Sequence, residues 1–96
     1  MVRKADINGV HVESFELTES QFNRVIGIIQ CNGREDDFND FEDGLGDASL
    51  YVNEWINNDN FDIDYRNWLK SMVDMGASIY TYYEDWQPIS EVAIIK

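Results

Sequence analysis

Val2-Arg3-Lys4-Ala5-Asp6-Ile7-Asn8-Gly9-Val10-His11-Val12-Glu13-Ser14-Phe15 sets two short runs of alternating character around the dipeptide Asn8-Gly9. Both turn residues tolerate positive φ, which a two-residue hairpin connection demands, so the stretch predicts antiparallel strands over 2–7 and 10–15. A second pair is predicted at the other end. There, β-branched and aromatic residues fill 79–86 and 89–95 on either side of Gln87-Pro88.

Three helices are predicted between the hairpins. Thr18 caps the first, Gln21 completes a capping box, Leu17 staples against Phe22, and Phe22, Val25, Ile26 and Ile29 recur at helical spacing until Asn32-Gly33. Residues 34–46 hold no period and read as a loop punctuated by Gly44 and Gly46. Asp47 is the expected cap of a short helix over 48–57 carrying Tyr51, Val52, Trp55 and Ile56. Asp62 or Asp64 caps the third, which carries Tyr65, Trp68, Leu69, Met72 and Val73 and ends at Gly76. The expected fold is α+β, in the order ββαααββ. An antiparallel sheet of two hairpins would be packed on one face by three short helices, as a single domain over 1–96.

Hydrophobic residues make up 44% of the 96 and aromatics 14%, enough apolar surface to offset chain entropy despite a net charge of -12. No run approaches the roughly 20 apolar residues of a membrane span, and no apolar segment follows Met1, Val2, Arg3 and Lys4. The lone Cys31 has no internal disulfide partner, in keeping with a reducing compartment. A cytoplasmic location is expected.

Catalysis is argued against by the histidine count: His11 is the only imidazole, so neither a Cys-His nor a Ser-His-Asp set forms without it. Paired carboxylates carry no specificity when 19 are present. Gly44 and Gly46 sit among acids that would repel a phosphate, and the same charge argues against direct nucleic-acid binding. Calcium is an alternative, because Asp36, Asp37, Asn39, Asp40, Glu42 and Asp43 offer hard oxygens in one loop, although the EF-hand spacing does not register. No cofactor is expected.

What remains is the acid itself. Glu35, Asp36, Asp37, Asp40, Glu42, Asp43, Asp47, Glu54, Asp59, Asp62 and Asp64 follow one another with no Lys or Arg between them. A small domain needs a net charge of only about 2 to 8 for solubility, and like charge beyond that destabilises the compact state. Phe38, Phe41, Tyr51, Trp55 and Phe61 interleave with the acids, a combination in which charge steers a partner and a buried ring holds it. The candidate partner-binding residues are therefore Glu35, Asp36, Asp37, Phe38, Asp40, Phe41, Glu42, Asp43, Asp47, Tyr51, Glu54, Trp55 and Asp59, and the expected partner is a basic protein surface.

In size, acidic composition and lack of a catalytic set, the chain resembles small phage-encoded counter-defence proteins, the DNA-mimicking anti-restriction and anti-CRISPR proteins. That resemblance implies a non-enzymatic inhibitor presenting carboxylates where phosphates would lie, against the nucleic-acid groove of a restriction enzyme or CRISPR effector. An immunity protein that neutralises a nuclease toxin is the alternative, and a calcium-binding or structural module the third.

Overall fold

A computed structural model describes residues 2–32 and 43–96. β1 (Arg3–Ile7) and β2 (Val10–Ser14) pair in the predicted register, Ile7 opposite Val10. Asn8 and Gly9 sit at φ 50° and 82°, the paired left-handed residues of a type I′ turn. α1 (Glu19–Asn32) starts at the predicted capping box: Thr18 Oγ1 accepts the Gln21 amide at 3.2 Å and Gln21 Oε1 accepts the Thr18 amide at 3.0 Å. Leu17 and Phe22, the staple pair, are buried in one cluster.

The first departure is β3 (Asp43–Asp47), a strand inside the stretch read as loop. Asp43-Gly44-Leu45-Gly46-Asp47 contains no β-branched residue, so propensity gives no sign of it. Its conformation comes from pairing with the next hairpin, which sets Leu45 opposite Tyr82 with Leu45 fully buried. α2 (Val52–Ile56) also begins later than expected. Asp47 Oδ1 accepts the Ser49 amide at 2.8 Å in an Asx-type turn, so it shapes the exit from β3 instead of capping the helix.

α3 (Ile63–Asp74) carries both predicted end signals. Asp62, the upstream of the two candidates, accepts the amides of Asp64 at 3.0 Å and Tyr65 at 3.3 Å. Gly76 adopts φ 84°, the Ala77 amide donates to Met72 O at 2.9 Å and the Gly76 amide to Val73 O at 3.0 Å, the two bonds of a Schellman motif.

β4 (Ser78–Glu84) and β5 (Gln87–Ile95) form the last hairpin, but it turns at Asp85-Trp86 and not at Gln87-Pro88. Both turn residues take positive φ, 50° and 66°, an uncommon state for a bulky side chain such as Trp86. Pro88 lies within β5, beyond the stretch that β2 pairs with, so its missing amide breaks no bond to β2. Next to it, the register slips between Tyr82, opposite Ser90, and Tyr83, opposite Pro88, leaving Ile89 as the extra residue of a bulge.

The strands form one antiparallel sheet in the order β1-β2-β5-β4-β3. The α+β class and the antiparallel sheet are as the sequence predicts, with β3 added at an edge. The helices, however, divide between the two faces. Phe22, Val25 and Ile29 of α1 pack with Val12, Leu45, Tyr80, Tyr82, Val92 and Ile94. Tyr65, Trp68, Leu69 and Met72 of α3, with Val52 of α2, pack with Ile79 and Ala93. The reason is visible in the central strands: Ile79-Tyr80 and Val92-Ala93-Ile94 are buried at consecutive positions, and consecutive residues point to opposite faces. Among the described residues no helix is long and apolar enough to cross a membrane.

Candidate functional site

Of the predicted partner-binding residues, Glu35, Asp36, Asp37, Phe38, Asp40, Phe41 and Glu42 lie outside the described residues, as does all but Asp43 of the stretch considered for calcium. Asp43 opens β3 opposite Glu84, and Asp47 closes it opposite Tyr80. The others gather on the connection that follows β3. Tyr51 immediately precedes α2, and its ring stacks on Trp55 one turn later, centroids 6.0 Å apart and planes at 24°. Tyr51 and Glu54 are exposed and Trp55 half-buried, so the stack has one edge in the core and one in water.

Asp59 lies in the α2–α3 connection with its carboxylate 98% exposed and 3.5 Å from Arg66 Nη1. Arg66 Nε also donates to Phe61 O at 3.1 Å, so this cation is tied to holding the connection.

Sequence reading missed Leu50, which is 88% exposed beside Tyr51. Its only signal was negative: the residues three and four further on are Asn53 and Glu54, so it has no apolar neighbour on a helical face. Leu50 and Tyr51 are thus adjacent exposed apolar residues, Tyr51 stacks on the half-buried Trp55, and Asp47, Glu54 and Asp59 lie near them along the chain. Among the described residues no three His, Cys, Asp or Glu side chains are grouped to hold a metal ion.

A second set of carboxylates was not foreseen at all. On the sheet face under α3, Glu13 is only 5% exposed; Trp68 Nε1 donates to its Oε1 at 3.3 Å, and His11 Nε2 lies 2.7 Å from its Oε2. His11 Nδ1 lies 2.7 Å from Asp6 Oδ1. A ring bonded through both nitrogens to carboxylates needs a proton on each. Glu13 first and Asp6 second accordingly hold His11 above its ordinary pKa.

Further along the same face, Glu91 accepts the Tyr65 hydroxyl on Oε1 and the Thr81 hydroxyl on Oε2 at 3.4 Å. Burial, followed by the charge of Glu16, pushes Glu91 up to about 7. Phe15 packs on both Tyr65 and Trp68, ring centroids 5.8 and 5.9 Å away, so the carboxylates lie beneath an aromatic cover. An open groove of about 450 Å³ reaches Glu13 between α3 and the start of β1, lined by Val2, Lys4, Trp68, Met72 and Met75.

On the other face, Glu84 receives Tyr82 Oη at 2.9 Å and Gln21 Nε2 at 3.3 Å and pairs with Arg24, fastening α1 to the hairpin end that carries Trp86. Tyr82 is the largest influence lowering the Glu84 pKa. No family model, curated protein or solved structure matches the chain.

Proposed function

We propose that this protein is a non-enzymatic inhibitor that places its acidic face on the basic nucleic-acid-binding surface of a defence nuclease or CRISPR effector. One observation carries the reading. The run of eleven carboxylates between Glu35 and Asp64 has no Lys or Arg within it, and the same stretch of chain carries the exposed Leu50 and Tyr51, with Tyr51 stacked on Trp55. Clustered like charge lowers stability unless a partner offsets it, and an exposed aromatic set in acid gives such a partner both steering and an anchor. The engagement of both His11 nitrogens by carboxylates supports a role without general-base catalysis.

The test is displacement of fluorescently labelled duplex DNA from a restriction endonuclease and from a CRISPR effector loaded with its guide. The expected result is competitive displacement that weakens steeply as salt rises, and that Glu54→Lys with Asp47→Lys reduces. Binding to the enzyme without loss of bound DNA would overturn DNA mimicry in favour of an immunity-type contact beside the groove. Absence of any interaction at low salt would overturn both.

A further inference from the structure

β1 is an edge of the sheet and, among the described residues, pairs with β2 alone. Because the Asn8-Gly9 turn is type I′, Ile7 and Val10 form a hydrogen-bonded pair, and alternation makes Ala5 and Arg3 bond inward as well. The amide and carbonyl groups of Lys4 and Asp6 therefore point outward. Their side chains share the sheet face opposite α1. Lys4 is exposed, and the Asp6 carboxylate is 83% exposed even while it bonds His11.

A charge on an edge strand ordinarily repels a second strand. Here one register reverses that effect. Pairing β1 antiparallel with β1 of a second copy, about a two-fold axis at Ala5, sets Lys4 of each copy opposite Asp6 of the other. These are the residues with outward backbone groups, so charge and hydrogen-bond ladder are matched together. The two neighbouring registers with the same ladder pattern set Lys4 against Lys4 or Asp6 against Asp6, and like charges directly opposite are unfavourable.

On β1 itself the local charge does not oppose the contact, because Arg3 and Lys4 stand against Asp6 alone, while β3, with Asp43 and Asp47, is the opposite edge. Four strand spacings, about 19 Å, separate the two edges, against a Debye length of about 8 Å in physiological salt.

We propose that the outer edge of β1 recognises a second copy of this chain, joining two sheets into one about a two-fold axis at Ala5. Five residues of edge give a contact well below the about 1,200 Å² of a standard interface, so association is weak and depends on concentration.

Sedimentation velocity of the full chain, from low micromolar to millimolar concentration, tests this. A monomer–dimer equilibrium is expected, with Lys4→Asp weakening it about tenfold and the exchange K4D/D6K restoring it. Lys70→Asp, an equal change of net charge on α3, should leave it unchanged, and a melting curve for each variant confirms folding. Lys4→Asp alone is decisive if the exchanged protein fails to fold. A chain that stays monomeric at millimolar concentration overturns the proposal. So does a dimer indifferent to Lys4→Asp, or one that a folded double variant does not restore.

Discussion

The two faces of the sheet are built from the same strands and differ in what their helices bring. Under α1 the contact is largely dry, with Val12, Leu45, Tyr82 and Val92 at 0–1% exposure and the carboxylate of Glu84 kept to the rim. Under α3 the strands present Glu13 and Glu91, and the helix answers with the indole N–H of Trp68 and the hydroxyl of Tyr65. Burying a carboxylate is costly without donors, and an aromatic residue with a polar edge supplies apolar cover and a donor from one side chain. Acid in this protein therefore stands in two settings: at Glu54 and Asp59 it is exposed to solvent, whereas beneath α3 it fixes a helix to the sheet.

The contrast can be broken most severely from the dry side. Leu45→Ala removes a fully buried side chain and should cost about 2 to 5 kcal/mol in urea denaturation, by the same amount at pH 5 and pH 8.

The face under α3 should instead respond to pH. Glu91 titrates at about 7 folded against an ordinary 4.5, so between those values the folded state holds a proton that the unfolded state has lost. The Glu91 contribution to stability is therefore full below about pH 4.5, falls as pH rises, and levels off above 7; at about 1.4 kcal/mol per unit the loss is at most about 3.5 kcal/mol. His11, also raised, adds stability that disappears in the same direction, as pH climbs through its folded value. Melting temperature followed from pH 4.5 to 8 should decline, and Glu91→Gln should remove most of the slope while raising stability at pH 8. An unchanged slope in that variant would mean that Glu91 does not carry it.

A smaller effect isolates the indole. Trp68→Phe keeps a ring over the sheet but leaves Glu13 one donor short, for a loss of about 1 to 2 kcal/mol read by chemical denaturation. Smallest of all, Leu50→Ala should alter stability by less than about 0.5 kcal/mol, because the side chain is 88% exposed. If Leu50 anchors a partner, the same substitution lowers affinity, so comparing melting curves with binding curves separates the two uses of this surface.

Local signals were legible where a few adjacent residues satisfy their own backbone. Asn8-Gly9, the Thr18–Gln21 box, Asp62 and Gly76 all perform the roles their chemistry indicates. What escaped depends on distant partners. β3 is a strand because β4 lies beside it, and the last turn falls on Asp85-Trp86 although neither residue is a glycine. The candidate site divides in the same way. Helical spacing alone places Trp55 on α2, with Glu54 beside it and Tyr51 at the position just before the helix. His11, Glu13 and Glu91, by contrast, sit at alternating polar positions that read as a wet strand face, and only the arrival of Tyr65 and Trp68 makes that face interior.

The sheet order has a consequence for how the chain acquires its shape during synthesis. β5 is made last of the five strands yet occupies the middle of the sheet, so Val12 waits for Ile94 across most of the sequence. Until then the β1–β2 hairpin and the β3–β4 pair are separate pieces with no strand joining them, and β2 leaves an unpaired edge open to solvent. At about 5 to 20 residues per second that exposure lasts several seconds, and closing so long a loop is intrinsically slow. A nascent chain halted before Gln87 would present two further open strand edges, those of β2 and β4, which makes the final hairpin the step at which folding and self-association of incomplete chains compete.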